Sequence, residues 1–298
     1  MNGKNLNHSK IMVVFALFIE RRFFLHIQPN IKIKEKIKMQ ESELEYYERI
    51  GNWDFSQIKF EVQKTTNWDF YKEIKKHTNE KSLCLDLGTG GGEKVLKNYP
   101  KVGMIIATDF SKEMLKTAKE NQKKYPQRNV KFTWMDNLDM TFPQDTFDLI
   151  SARHTIINAK QIYNSLVEGG TIIIEGVNKK DCWEIKELFK RGQAYNDKIS
   201  IAEKDYLDLK EVGFSKIKKV EILENEYYKT KEDLMALLLK TPILDDFSEI
   251  KDNKSEYKKR IEMNLLEKYV DKYTSKKGIL LKRRLYGIIA TKTQITRE

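Results

Sequence analysis

The middle of the chain alternates short apolar runs with amphipathic stretches, which is the pattern of an α/β protein. Apolar runs at residues 83–87, 102–108, 130–135, 147–151 and 171–177 predict five strands. After the second run, Met114, Leu115 and Ala118 share one face of a predicted helix. Residues 159–168 predict another helix, ended by the pair Gly169-Gly170. Because strands joined by short helical crossovers pair in parallel, we expect a doubly wound sheet with helices on both faces.

After residue 177 the pattern loosens and the predicted elements are further apart. Helices are expected at residues 203–212, 230–240 and 255–273, and strands at residues 217–223 and 281–291. With these two strands the sheet would have seven strands, most of them parallel. Residues 227–278 would then form a helical insertion before the last strand, and this insertion is expected to be part of a substrate cover.

The same pattern divides the chain into five parts. They are a basic and apolar extension at residues 1–38, N-terminal cap helices at 39–80, a core at 81–226, the helical insertion at 227–278, and the last core strand with a tail at 279–298. The sequence Asn-Trp-Asp-Phe occurs twice in the cap region, at Trp53 and at Trp68. These tryptophans would either fix the cap helices to the core or form an aromatic lid over the site.

The extension at residues 1–38 does not fit the α/β pattern. Its apolar run at residues 11–19 is far shorter than the roughly 20 residues of a membrane-spanning helix. No small-x-small cleavage site follows the run, so it does not resemble a signal peptide. Two interpretations remain: translation starts at Met39 and the extension is not native, or the extension is a membrane-surface anchor.

Composition favours a globular protein, since 40% of the 298 residues are hydrophobic and 33% are charged. The formal net charge of +11 would suit nucleic acid or acidic lipid, but for the main body of the chain a solvated lysine-rich surface is the preferred explanation. Cys84 and Cys182 offer neither a disulfide framework nor zinc spacing, and no His/Cys/Asp cluster suggests a metal site. We therefore expect a cytoplasmic protein without a metal.

The strongest chemical signal is the sequence Asp86-Leu-Gly-Thr-Gly-Gly-Gly92, which directly follows a predicted strand. Glycines let the backbone turn sharply and approach a ligand closely. The dinucleotide pattern Gly-x-Gly-x-x-Gly fails, because its third position falls on Glu93 or Val95, and no P-loop is present. An acidic Asp86 suits the positively charged end of S-adenosylmethionine better than a pyrophosphate.

With this motif, residues 82–177 resemble class I S-adenosylmethionine-dependent methyltransferases. The resemblance is to the small-molecule group that includes ubiquinone and menaquinone methyltransferases. It extends to Asp109-Phe-Ser-Lys-Glu-Met-Leu115, to Trp134-Met-Asp-Asn137, and to residues 145–151 and 166–170. One departure is Glu168, which stands where proline is common in the group.

The resemblance implies a set of cofactor-binding residues. They are Asp86, Gly88, Thr89, Gly90, Gly92, Asp109, Phe110, Asp136, Asn137 and Ser151. Within the set, Asp109 would accept hydrogen bonds from both ribose hydroxyls. Asp136 would recognise the adenine amino group, with Asn137 beside it.

Methyl transfer is an in-line displacement by an oxygen, nitrogen or carbon nucleophile, in which the protein mainly positions and desolvates the partners. A base is needed only if the nucleophile must lose a proton. His154 follows the fourth strand at its functional end and is the candidate for this base or for a substrate ligand. Arg153 would bind an acidic group of the substrate, and Tyr71, with Tyr46 and Tyr47, would line the pocket. Purely structural roles in a loop are the alternative for His154 and Arg153.

The expected acceptor is a small organic molecule. Ser151-Ala-Arg-His154 replaces the Asn/Asp-Pro-Pro-aromatic motif of enzymes that methylate base amino groups, so that activity is not expected. Other methylation of ribosomal or transfer RNA stays open because of the basic charge. A non-catalytic or NAD-binding Rossmann protein is the alternative from another class. No heptad or exposed seam predicts an oligomeric state.

Overall fold

A computed structural model describes residues 55–126, 128–244 and 261–293. The predictions for residues 1–38 and for Tyr46, Tyr47 and Trp53 lie outside these ranges. Among the described residues, no helix has the length and apolar character needed to cross a membrane.

Nine strands and eight α-helices make up the described part of the chain. The strands are β1 Phe60–Lys64, β2 Leu83–Leu87, β3 Met104–Asp109, β4 Val130–Trp134, β5 Phe147–Arg153, β6 Leu166–Val177, β7 Phe214–Tyr228, β8 Thr274–Ser275 and β9 Gly278–Lys292. The helices are α1 Phe70–Lys76, α2 Glu93–Asn98, α3 Lys112–Gln122, α4 Ala159–Ser165, α5 Trp183–Phe189, α6 Ile201–Glu211, α7 Lys231–Lys240 and α8 Met263–Tyr273. A 3₁₀ turn, Pro242–Leu244, follows α7.

All the described strands belong to one sheet, in the order β1-β7-β9-β6-β5-β2-β3-β4, with β8 paired to β9. The strands from β6 to β4 pair in parallel, whereas β9, β7 and β1 add antiparallel pairs at the other side. The chain order reverses at β2, since β3 lies on one side of it and β5 on the other. Such a reversal opens a crevice at the carboxyl ends of the strands. The predicted doubly wound fold is confirmed.

Apolar side chains cover both faces of the sheet because neighbouring residues of a buried strand point to opposite sides. Leu85 and Ile150 belong to the core on one face, and Cys84 and Leu149 belong to the core on the other. Cys84 is a fully buried free thiol and packs as a small hydrophobic residue. The residues of the parallel half are thereby fixed in register, which sets the geometry at the strand ends.

The structure corrects the predicted number of strands and two of the predicted elements. The sheet has nine described strands instead of seven, because Phe60–Lys64 and Thr274–Ser275 also pair. Residues 60–64 had been assigned to cap helices, but they form an edge strand whose register is set by its partner β7. The helix predicted at 159–168 ends at Ser165, because Leu166 takes an extended backbone and begins β6.

Strands β7 and β9 extend well beyond the parallel half of the sheet. β6 pairs with β9 only from Thr171 to Val177, whereas β7 follows β9 as far as Tyr228. Helices α5, α7 and α8 pack on this extension and enclose a third hydrophobic core. α7 and α8 are the helices expected within the insertion 227–278, of which residues 245–260 are not described. The extension thus builds a wall beyond the carboxyl ends of the parallel strands.

Candidate active site

A cavity of about 1420 Å³ lies at the carboxyl ends of the parallel strands and runs along the extension of β7 and β9. Ten of the predicted site residues line it: Asp86, Gly88, Thr89, Gly90, Asp109, Phe110, Asp136, Asn137, Arg153 and His154. Tyr71 also lines it. The other two predicted residues, Gly92 and Ser151, are not part of its lining. The fold therefore brings most of the predicted site into one chamber.

The loop between β2 and α2 can take its shape only with glycine at the turning points. Gly88 has a φ of +65°, and a Cβ there would lie 2.6 Å from the side chain of Thr155. The amide of Thr89 donates to the carbonyl of Thr108 at 2.9 Å, which holds the loop against β3. As a result the loop backbone borders the cavity without side chains blocking it.

Gly92 and Ser151 support the site from behind. Gly92 precedes α2, and a Cβ there would lie 2.8 Å from the ring of Phe132, so its role is close packing. The Ser151 hydroxyl donates to Asp86 Oδ1 at 2.6 Å, and the Tyr99 hydroxyl lies 3.2 Å from Ser151 Oγ. Ser151 therefore orients the carboxylate of Asp86 and does not face the cavity.

Asp86 carries a buried carboxylate that forms no ion pair within the described part of the chain. Burial raises its pKa to about 6, an effect opposed by the hydroxyls of Ser151 and Thr89 and by the charge of Arg153. A buried carboxylate without a cation is unfavourable unless a ligand supplies the charge. The position is suited to a cationic group bound in the cavity.

Asp109 ends β3 with both carboxylate oxygens held by the backbone. The amide of Gly90 donates to Oδ2 at 2.8 Å, and the amide of Ser111 donates to Oδ1 at 2.9 Å. Burial raises the pKa of this carboxyl, and the amides of Ser111, Gly90 and Phe110 oppose the shift. Since each carboxylate oxygen can accept a second hydrogen bond, Asp109 can hold two ligand hydroxyls.

Asp136 and Asn137 form the next side of the cavity. Asp136 Oδ1 accepts from the amide of Leu138 at 2.8 Å. The Asn137 amide group donates to Thr155 Oγ1 at 2.9 Å and to the carbonyl of Ile156 at 3.4 Å. Asn137 Oδ1 is buried and has no hydrogen-bond partner among the described residues. Together with Asp86 and Asp109, these acceptors fit a nucleoside that carries an amino group, two hydroxyls and a cationic tail.

Arg153 and His154 meet at a buried glutamate that the sequence analysis missed. Glu175 Oε1 accepts from Arg153 Nε at 2.7 Å, and Glu175 Oε2 accepts from Trp68 Nε1 at 2.7 Å. Its backbone carbonyl accepts from the amide of His154 at 2.7 Å. The available signal was a single acid in the otherwise uncharged strand 171–177. The Nε of Arg153 is therefore already engaged by Glu175, while the side chain remains 34% exposed.

His154 presents a neutral imidazole to the cavity. Burial, with the charges of Arg153 and Arg283, holds its pKa well below the ordinary value. About 30% of the side chain is still accessible, and its Nε2 lies 3.6 Å from Glu175 Oε1. A neutral imidazole at a cavity wall can accept a proton at physiological pH.

Within residues 55–126, 128–244 and 261–293, no group of three or more His, Cys, Asp or Glu side chains could hold a metal ion. The site is built instead from carboxylates, one imidazole and backbone amides. This set suits binding of a polar organic ligand and proton transfer.

Comparisons with known proteins agree with this architecture. Residues 78–278 match a family described as a methyltransferase domain. The chain is 35% identical over 89 residues to the 2-phytyl-1,4-naphtoquinone methyltransferase of Nostoc sp., a match that covers 28% of this chain and 39% of that protein. It is 29% identical over 127 residues to the protein of the same name from Nostoc punctiforme, covering 41% of this chain and 52% of that protein. The chain thus spans about half the length, or less, of the curated relatives it matches.

A solved structure has the same fold. The protein YcgJ of Bacillus subtilis superposes with a TM-score of 0.50 and 16% identity, covering 75% of this chain and 97% of that chain.

Proposed function

Because the chain belongs to the methyltransferase-domain family, we propose that it transfers a methyl group from S-adenosylmethionine to a small organic acceptor. The observation that carries this proposal is the carboxylate of Asp109, which is bound to the amide of Gly90 in the same cavity as Asp86. Two acids and a glycine loop in this arrangement match the needs of a nucleoside with a cationic tail. The match to a methyltransferase domain over more than half of the chain supports the same conclusion.

Different residues of the cavity would bind different parts of the cofactor. Asp109 would hold the ribose hydroxyls, Asp136 and Asn137 would hold the adenine, and Asp86 would hold the cationic tail. When bound, S-adenosylmethionine supplies a methyl group already activated on a sulfonium sulfur. The chain's own contribution is to orient the acceptor and to exclude water from the chamber.

His154 is the candidate acceptor of a proton when the nucleophile must lose one. Its lowered pKa keeps the imidazole neutral at neutral pH, so it can accept a hydrogen bond from the nucleophile, but the same shift makes it a weaker base than an ordinary histidine. Glu175 fixes this residue through its backbone carbonyl and fixes Arg153 through its carboxylate. Arg153 uses its Nε for this pair, and its side chain remains 34% exposed at the cavity wall, so its two NH₂ groups can still bind an acidic group of the substrate.

A cytoplasmic location forms part of the proposal, because Cys84 and Cys182 are both buried free thiols. An RNA acceptor is the competing hypothesis and rests on the net charge of +11. RNA binding would weaken steeply with salt, since Lys and Arg contacts to phosphates release counterions. A gel-shift titration of tRNA at low and at high salt separates the two hypotheses. Salt-sensitive, saturable binding supports the RNA acceptor.

Calorimetric titration of S-adenosylhomocysteine tests the cofactor site. Asp109→Ala should weaken binding by about 1.5–3 kcal/mol, because hydrogen bonds to a charged acceptor are lost. Asp139→Ala is the matched control, since Asp139 is exposed nearby and does not line the cavity. NADH should give no heat. A folded wild type that fails to bind S-adenosylhomocysteine would overturn the proposal.

A further inference from the structure

The cavity continues past His154 into a chamber formed by the extension of β7 and β9, which we name the acceptor end. Its floor carries Lys64, Glu224 and Arg283 side by side, because β1, β7 and β9 place these residues in direct register. Phe60 and Val62 of β1 also line this chamber. The acceptor end thus combines a charged floor with apolar sides.

Arg283 donates to two carboxylates through all three of its nitrogens. Its Nε and Nη2 donate to Asp181 at 3.0 Å each, and its Nη1 donates to Glu226 Oε1 at 3.1 Å. The Tyr228 hydroxyl donates to Glu226 Oε2 at 2.6 Å. The ammonium of the buried Lys186 also acts on Asp181 and Arg283, so the cluster sets two cations against two carboxylates. Each nitrogen of Arg283 already donates to a carboxylate, so an acidic substrate would have to compete with Asp181 and Glu226 for it.

Glu224 lies beside this cluster with its carboxylate largely unsatisfied. Its side chain is 18% exposed, and it accepts no hydrogen bond from the described residues. Its nearest cation is Lys64 Nζ at 3.8 Å, at the end of a side chain that is 56% exposed. An exposed lysine at this distance contributes little, so the oxygens of Glu224 remain available to a stronger donor.

Other charged groups near the acceptor end act on the carboxylate of Glu224. Burial raises the pKa of Glu224; the charges of Lys64 and Arg283 oppose this shift, and those of Glu226 and Glu175 add to it. Of the two cations that act on Glu224, Arg283 is bonded to Asp181 and Glu226, so Lys64 is the one that Glu224 itself contacts. A positively charged group bound at Glu224 would relieve the repulsion that Glu226 and Glu175 exert on its carboxylate.

An apolar surface accompanies this carboxylate. Val62 is 46% exposed although it lines the cavity, and Phe60 stacks on Tyr228 with ring centroids 5.2 Å apart. Leu285 and Val177 line the same chamber. These side chains can pack against a hydrocarbon or aromatic body but offer it no charge.

We infer that the methyl acceptor is an amine with an apolar body, and that Glu224 selects it by binding its cationic nitrogen. The inference rests on the proposed function, since it assigns the acceptor class of the same site. Glu224 is a specificity residue in this scheme. Lys64 is the loosely held cation that the substrate displaces.

Three probes of similar size test the charge preference: 2-phenylethylamine, 2-phenylethanol and 3-phenylpropionate. Their binding is measured by ligand-observed NMR on the full chain saturated with S-adenosylhomocysteine, which fills the cofactor side. The amine should bind most tightly and the carboxylate least. The preference is the ratio of the dissociation constant of the carboxylate to that of the amine. Glu224→Gln should lower this ratio about tenfold or more, as expected for the loss of a charge-assisted hydrogen bond.

Two further variants make the result specific. Glu221→Gln removes an exposed carboxylate of the same strand and should leave the preference unchanged. Lys64→Gln removes the competing cation and should strengthen binding of the amine. A wild type that binds the carboxylate as well as the amine, or a Glu224→Gln variant that keeps the preference, would overturn the inference while leaving the proposed function intact. Absence of S-adenosylhomocysteine binding by folded wild type would overturn the proposed function and this inference with it.

Discussion

Replacing Asp86 by Asn should stabilise the ligand-free protein and at the same time weaken its binding of S-adenosylmethionine. The reason is that Asp86 is buried without a cation, and burial raises its pKa from an ordinary value of 3.8 to about 6. A group whose pKa is raised in the folded state favours folding in its protonated form. The stabilisation by protonated Asp86 is complete below the ordinary pKa of 3.8 and is lost as pH rises through 6.

The pKa shift sets the size of the effect. One pKa unit corresponds to about 1.4 kcal/mol, so the ionised carboxylate costs the folded state up to about 3 kcal/mol at pH 8. The amide oxygen of Asn can still accept the hydrogen bond from Ser151. Its NH₂ group needs an acceptor in a buried position, which offsets part of the gain. We therefore expect Asp86→Asn to stabilise the protein by about 1–3 kcal/mol at pH 8, and by roughly half as much at pH 5.

Urea denaturation followed by far-UV circular dichroism at pH 8 and pH 5 measures this difference. Asp139→Asn, which makes the same chemical change at an exposed position, should leave the midpoint unchanged. Calorimetry at pH 8 should show S-adenosylmethionine binding reduced about tenfold or more in Asp86→Asn. Wild-type affinity should also fall as pH drops below 6, because a proton then competes with the cation. A destabilised Asp86→Asn variant, or a gain independent of pH, would refute this reasoning.

Three other perturbations test the site. His154→Ala should lower turnover of the accepted substrate while leaving S-adenosylhomocysteine binding, measured by calorimetry, unchanged. The wild-type rate should not fall as pH drops to 6.5, because the pKa of His154 lies below that value, and a pH profile of initial rates checks this. Trp68→Phe should destabilise the protein by about 1.5–3 kcal/mol in urea denaturation, because Glu175 Oε2 loses its donor; an unchanged midpoint would contradict the hydrogen bond. Gly88→Ala should lower both the melting temperature and cofactor affinity, because its Cβ would meet Thr155 at 2.6 Å with φ at +65°; Thr155→Ala in the same chain should recover part of the loss, and a harmless Gly88→Ala would refute the close approach.

The parallel half of the fold was predictable from local pattern. The strand expected at residues 83–87 is β2, Leu83–Leu87, and the glycines that follow it form the turn at the cavity. Both signals are local, because a buried strand needs continuous apolar residues and a tight turn needs glycine. The edge strand Phe60–Lys64 was missed, since its pairing depends on β7, more than 150 residues away along the chain.

The meeting of Asp86 and Asp109 at one cavity was also predictable, whereas the partners of Glu175 and Asp181 were not. Asp86 and Asp109 follow neighbouring strands, so any parallel sheet brings them to one edge. Glu175 was missed because nothing in its surrounding sequence indicates that Trp68 and Arg153 both donate to it. Likewise, no local pattern pairs Asp181 with Arg283, which meet across 102 residues.

The sequence by itself therefore determined the positions of the strands in the parallel core and the acids near their carboxyl ends, because these depend on periodicity and on short spacings. Tertiary structure alone decided which charges of the acceptor end neutralise one another. The register of β1, β7 and β9 places Lys64, Glu224 and Arg283 in one row, and burial then makes the balance of those charges decisive. A charged residue has the same formal charge everywhere in a sequence, but its partners and its distance from water exist only in the fold.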